Sequence, residues 1–213
     1  MKNLSQSFRN FFFSTKCSVC GKNVEEENQY ICNECFKILK RKGTIKNIDN
    51  YYFLYYYDED IKKVIIDYKL KNRKRLSKDI SILIRKALKN FLEEKKIDIV
   101  LPVPISENRM KERGFNQVET ILEELEISYE TIDRIKNTEH MYSLLEERKR
   151  DENIAKAFEN KGIDINQKNV LIIDDIVTTG STIREIAKEI RKKGTPENIY
   201  IFSIAMSKFF KNK

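Results

Sequence analysis

Residues 170–182 read Val-Leu-Ile-Ile-Asp-Asp-Ile-Val-Thr-Thr-Gly-Ser-Thr, an order that suits the binding of a sugar phosphate. Asp174 and Asp175 can accept hydrogen bonds from two vicinal ribose hydroxyls and can hold a Mg²⁺ ion indirectly. Thr178, Thr179, Ser181 and Thr182 add hydroxyl donors for a phosphate, and Gly180 lets the backbone turn and come close. The same residues could also be an N-capped turn and a plain loop. The coincidence of all these parts in order and spacing favours the ligand site.

The elements that must hold these groups lie on either side. Val170 to Ile173 are four consecutive apolar residues, as in a strand buried on both faces, and the carboxylates fall where that strand should end. Ile183, Ile186, Ala187 and Ile190 share one face of a following helix. Its N-terminus offers unpaired N–H groups and positive dipole to an anion. Ile97 to Leu101 reads as a second strand, and Pro102-Val103-Pro104 forces an extended exit from it. The basic segment Arg109 to Gln117, with one glycine, then reads as a loop. It offers Lys111 and Arg113 to a second anion, or is a solvated loop. A helix with Val118, Ile121, Leu122 and Leu125 on one side follows.

The four cysteines form two pairs, Cys17-x-x-Cys20 and Cys32-x-x-Cys35, separated by eleven residues. This spacing points to a tetrahedral Cys₄ zinc site, with Gly21 suited to the turn of the first pair. Four protein ligands leave no open position, so the ion would be structural, and in so small a segment its binding supplies folding free energy. A disulfide framework and a redox pair are the alternatives. No export signal is visible to support the first. The ribbon is expected to occupy residues 1–42 and an α/β domain residues 43–213.

Between these sites, Tyr51 to Tyr57 is an aromatic strand. It either packs against the body of the domain, with alternate rings buried, or forms a stacking platform for single-stranded nucleic acid. Ile61, Val64, Ile65 and Tyr68 have helical spacing, and a helix is expected over Leu76 to Glu94. The intervening Lys69, Lys71, Arg73, Lys74 and Arg75 form a basic cluster that is either solvated or meets phosphates. Ser128 to Ile135 reads as an edge or hairpin strand, and Arg148 to Phe158 as a charged helix or turn anchored by Ile154, Ala157 and Phe158. Asn198 to Ala205 reads as a final strand. His140, the only histidine, reads as a surface residue.

The chain of 213 residues carries 41 basic and 33 acidic side chains, a net charge of +8 that fits an anionic ligand or nucleic acid. No apolar run approaches the roughly 20 residues of a membrane span, and Phe11-Phe12-Phe13 is shorter than a signal-peptide core. A cytoplasmic protein without membrane insertion is expected.

The 170–182 stretch resembles the phosphoribosyl pyrophosphate (PRPP) motif of type I phosphoribosyltransferases. That resemblance implies that Asp174 and Asp175 contact the ribose, that Thr178, Thr179, Gly180, Ser181 and Thr182 hold the 5′-phosphate, and that Mg²⁺ accompanies PRPP. Lys111 and Arg113 then become candidates for the pyrophosphate. The whole chain is similar to the competence protein F (ComF) family. The similarity rests on the Cys₄ ribbon, Asp67-Tyr68-Lys69, Val100-Leu101-Pro102-Val103-Pro104, Lys111-Glu112-Arg113-Gly114-Phe115-Asn116-Gln117, Arg150 with Asn153, Ala157-Phe158 and the PRPP-like motif. The family implies a type I phosphoribosyltransferase-like α/β fold with a mostly parallel sheet flanked by helices, a bound zinc, and a role in DNA uptake and natural transformation. Single-stranded DNA and a competence helicase are the implied partners. Transferase turnover and a non-catalytic, DNA-binding or adaptor use of the fold both remain open. Where family members carry a Thr-x-x-Gln element, residues 138–144 here read Thr-Glu-His-Met-Tyr-Ser-Leu, which implies altered ligand contacts.

Overall fold

A computed structural model describes residues 15–24, 29–70, 73–136 and 154–211. In chain order the elements are α1 (Asn33–Lys42), β1 (Lys46–Ile48), β2 (Tyr51–Tyr56), α2 (Glu59–Leu70), α3 (Leu76–Glu94) and β3 (Ile99–Pro102). They continue with α4 (Glu107–Arg113), α5 (Gln117–Glu124), β4 (Asp133–Arg134), β5 (Phe158–Glu159), β6 (Asn169–Val177), α6 (Ser181–Lys193) and β7 (Asn198–Met206). Five strands form one sheet in the order β1-β2-β7-β6-β3, and β4 pairs with β5 in a separate ribbon. The pairs β2–β7, β7–β6 and β6–β3 are parallel, and only the edge strand β1 is antiparallel.

Helices cover both faces of this sheet. On one face Leu39, Ile65, Ile84, Leu88 and Leu122 from α1, α2, α3 and α5 meet Leu54, Leu171, Ile173 and Phe202. On the other, Ile183, Ile186 and Ile190 of α6, with Ile132 and Phe158, meet Phe53, Val170, Ile172 and Ile201. The unbroken apolar run Val170 to Ile173 follows from this: each of the four is at most 1% exposed. Each such burial is worth roughly 1.5–3 kcal/mol relative to exposure.

Several elements depart from the sequence reading. Both carboxylates lie inside β6, which continues to Val177 because β7 pairs with it as far as Val177↔Met206. The aromatic run in β2 packs against the body of the domain, as one of its two readings expects, but without strict alternation: Tyr51, Phe53, Leu54 and Tyr55 are buried, Tyr52 is half-buried and Tyr56 exposed, because β2 lies between β1 and β7 with both faces covered. It therefore offers no stacking platform along its length. The basic segment after β3 is largely helical. Ser106 caps α4 through its hydroxyl, and Gly114, at φ +75°, ends it in the left-handed conformation that glycine tolerates best. Ser128 to Ile135 contributes only the two-residue β4, which pairs with β5 and not with the main sheet. The buried Ile154, Ala157 and Phe158 are the expected anchors. The readings made for residues 138–144, His140 and Arg148 to Asn153 lie outside the described residues.

The cysteine segment shares the core of the helical face, where Cys17, Ile31, Cys35 and Leu39 are buried with α2 and α3. Asp79 of α3 accepts from the N–H groups of Tyr30 and Ile31 at 2.8 and 3.1 Å. Arg73 donates to Ser18 Oγ at 3.2 Å and pairs with Asp67 of α2 at 2.9 Å. Tyr55 donates its hydroxyl to the Leu39 carbonyl.

Candidate functional site

A cleft of about 150 Å³ opens at the carboxyl ends of the strands. Its origin is a difference in strand length. β3 pairs with β6 only to Pro102↔Ile173, then leaves through Val103 and Pro104, while β7 stays paired to the end of β6. The β3 side of Asp174 and Asp175 is thereby uncovered, at the position where open α/β sheets hold ligands. The walls come from Lys69 at the end of α2, Arg109 and Arg113 of α4, the start of α5, Arg134 of β4, and Thr178 and Thr182.

The charges in this cleft are unevenly matched. Asp175 is buried, and its Oδ1 takes an ion pair from Lys69 Nζ at 2.8 Å. Asp174 Oδ1 accepts from the Asp175 N–H at 2.8 Å, and part of the residue's surface opens on the cleft. Burial, then the neighbouring Asp175 carboxylate, push the Asp174 carboxyl up to about 7, while Lys69 pulls it down. Arg134 donates to the Pro104 carbonyl at 3.2 Å and lies over the Phe158 ring at 5.5 Å. Burial, with Arg109 adding repulsion and Asp174 opposing it, takes Arg134 down to about 10. Desolvated like charges set beside one another cost free energy that an anion between them would recover.

The segment Thr178 to Thr182 bends around Gly180, whose φ of +74° places it just before the first turn of α6. A Cβ there would stand 3.2–3.3 Å from Phe210, Arg184 and Tyr51, so the loop is packed from behind. Arg184 donates to the Thr179 carbonyl at 2.6 Å, and the Thr179 and Ser181 hydroxyls bond to each other at 2.8 Å. Thr178 and Thr182 line the cleft, while Gly180 and Ser181 are buried.

The structure thus gathers Asp174, Asp175, Thr178, Thr182 and Arg113 around one cleft, with Thr179, Gly180 and Ser181 forming the loop's inner side. Lys111 is exposed and does not line it. Helical geometry explains the split: Arg109 and Arg113 are four residues apart on α4 and share a face that Lys111 does not. Sequence reasoning passed over Arg134, Gln117 and the role of Lys69. The i, i+4 spacing of Arg109 and Arg113 was a usable signal once the segment is seen as a helix. Arg134 carries none, because two residues of strand show no period.

At the other site, the four cysteine Sγ atoms lie within 4.8 Å of one another. Cys20 Sγ and Cys32 Sγ are 3.7 Å apart. A tetrahedron with metal–sulfur bonds of about 2.3 Å has an edge of about 3.8 Å. Burial opposes ionisation of Cys17, but backbone N–H groups led by those of Cys20 and Cys32 overcome it and take the thiol down to about 7. Burial pushes Cys32 and Cys35 up. The donor set fits a thiolate-bound metal ion.

Comparison with known proteins agrees with this architecture. Residues 70–205 match the phosphoribosyl transferase domain family, and the chain belongs to that family. Among its relatives are competence proteins that align nearly end to end. Competence protein F of Haemophilus influenzae is 26% identical over 89% of this chain and 89% of its own length. Competence protein ComFC of Streptococcus pneumoniae is 28% identical over 90% of this chain and 87% of its own. DNA utilization protein YhgH of Escherichia coli K12 is 31% identical over 46% of this chain and 44% of its own. No helix among the described residues is long and apolar enough to cross a membrane.

Proposed function

We propose that the chain is a ComF-type protein that binds PRPP in the β6 cleft and acts in DNA uptake and natural transformation. One observation carries the ligand reading: the Asp174–Asp175 pair and the Thr178–Thr182 loop meet at one cleft mouth with Arg109, Arg113 and Arg134 opposite. The loop and the α6 N-terminus take the 5′-phosphate through hydroxyls and unpaired N–H groups. Asp174 faces the ribose, with Asp175 held in place by Lys69. Arg113 and its neighbours take the pyrophosphate, and a Mg²⁺ ion bound with the ligand neutralises part of its charge. Transfer would break the C1–O bond to pyrophosphate and form a bond from C1 to an acceptor nucleophile. The arginines favour the charge that develops on the leaving group. The ribbon holds a structural zinc ion. The DNA role rests on the likeness to competence protein F, ComFC and DNA utilization protein YhgH.

A second reading, a single-stranded DNA adaptor, is favoured by a separate surface. The exposed face of α3 carries Lys78, Arg85, Lys86 and Lys89, and α1, packed against it, exposes Lys37, Lys40 and Arg41. Such binding would weaken steeply as salt rises.

Calorimetric titration with PRPP and Mg²⁺, beside the Asp174→Ala, Asp175→Ala double variant, tests the first reading. Binding by the wild type that the variant loses supports it. Absence of binding at millimolar PRPP removes it and leaves the DNA surface as the function to pursue.

A further inference from the structure

Ser203 is the one polar residue in the buried stretch Ile201 to Met206 of β7. It is 0% exposed, and its hydroxyl has no hydrogen-bond partner among the described residues. An unpaired buried hydroxyl is unfavourable, and packing beside Ile, Phe, Ala and Met gives no reason to carry one.

The register of the sheet says what this hydroxyl stands beside. β7 lies between β2 and β6, and there Ser203 is opposite Phe53 on one side and Asp174 on the other. Neighbouring strands run about 4.8 Å apart, and residues in register on parallel strands point to the same face. Ile172 and Ile201, one alternation earlier, both join the core under α6, so Asp174 and Ser203 share that face. Asp175 points the other way, to Lys69 of α2. Among the described residues only one oxygen of Asp174 is engaged, Oδ1 by the Asp175 N–H. A carboxylate held by a single bond can swing about Cβ–Cγ, and a second donor beside it fixes its plane. Ser203 does not line the cleft, so it can act on a ligand only through Asp174, which does.

We propose that Ser203 is a positioning residue: with a ligand in the cleft, its hydroxyl donates to the Asp174 carboxylate and holds it toward the ribose. The proposal rests on the PRPP reading and adds to it a residue from outside the 170–182 motif. The hydroxyl reaches the carboxylate by turning about Cα–Cβ, with no movement of the main chain. A bond to a charged acceptor then replaces an unpaired donor, and the ribose hydroxyl meets an acceptor held in one orientation.

The test is calorimetric titration of the zinc-loaded full chain with PRPP and Mg²⁺, with thermal melting of each variant beside it. Ser203→Ala removes a hydroxyl that the free chain leaves unpaired. It should melt no lower than the wild type yet bind PRPP roughly tenfold more weakly, the scale of one hydrogen bond to a charged group. Ser203→Thr keeps the hydroxyl and crowds the core with a methyl group. It should melt lower yet bind within about threefold of the wild type. A residue with only a structural role cannot give this crossed pattern. In an Asp174→Asn background, which removes the charge, Ser203→Ala should cost less than about twofold. Wild-type affinity in Ser203→Ala overturns the positioning role, as do equal losses in the two backgrounds. Affinities of the two Ser203 variants that follow their melting temperatures overturn it too. A wild type that binds no PRPP overturns the PRPP reading itself and the proposal with it.

Discussion

The ribbon and the cleft are both polar sites, built on opposite principles. All four candidate ligands of the ribbon come from residues 17–35 and converge on one point. The cleft draws on chain from Tyr57 to Thr182 and sets Arg109 beside Arg134, and Asp174 beside Asp175. The first is a closed donor set that one ion completes. The second is an open set that gathers like charges and holds the Gln117 amide nitrogen buried with no hydrogen-bond partner among the described residues. A closed set is a stability device, because its ligand is part of the fold. On the proposed reading, an open set trades stability for affinity, because a bound ligand would relieve its strain and repulsion. Perturbing the ribbon should therefore move the melting temperature, and perturbing the cleft should move binding.

The largest effect is expected from Cys17→Ser with Cys20→Ser. Structural zinc contributes on the order of 10 kcal/mol to small domains of this kind. The ribbon supplies Cys17, Ile31, Cys35 and Leu39 to the main core. Loss of bound zinc should accompany loss of the cooperative thermal transition or of soluble protein. A variant that is zinc-free by metal analysis yet melts like the wild type would show that the ribbon is not a structural device, and the contrast would collapse.

Asp79→Ala comes next and tests whether the two sites are separate. The substitution leaves the buried Ile31 N–H and the half-buried Tyr30 N–H without their acceptor. A stability loss of about 3 kcal/mol is expected, roughly 6–12 °C in melting temperature for a chain of this size. PRPP affinity should stay within about threefold. A much larger loss of affinity would mean that the ribbon positions the cleft. The route for that would run through Arg73 and Asp67 at the end of α2, the helix that also carries Lys69.

How far each site could be read from sequence follows from the same difference. The convergence of the four cysteines on one point was legible because two short spacings contain the whole candidate set. The PRPP-like motif was legible because the strand, loop and helix that hold it are contiguous. α3 runs from Leu76 to Glu94 as its apolar period predicts. The opposite wall of the cleft was not legible. Arg134 lies on a two-residue strand, and its place depends on β4 pairing with β5 more than twenty residues away. The ion pair between Lys69 and Asp175 joins residues 106 apart. The end of β6 was misjudged because a carboxylate in a strand is disfavoured by propensity, while pairing with β7 overrides it.

Asp174→Asn should give the smallest change in stability and the one with the clearest sign. The Asp174 carboxyl titrates at about 7 in the folded chain, above its ordinary value near 4. Between roughly pH 4 and 7 the folded chain therefore holds a proton that the unfolded chain has released, so this group's contribution to stability falls as pH rises through that window and is flat above it. Asparagine keeps an oxygen to accept from the Asp175 N–H and removes the titration. The variant should match the wild type near pH 4 and melt higher at pH 8. The gain should be only a few degrees, because part of Asp174 opens on the cleft and water screens its charge. The same substitution should weaken PRPP binding by roughly tenfold, since a ribose hydroxyl loses a charged acceptor. A variant that gains stability at pH 8 and loses affinity would place the repulsion at Asp174 in the service of the ligand. A stability gain with affinity unchanged would leave the carboxylate as strain without use and remove it from the ribose site.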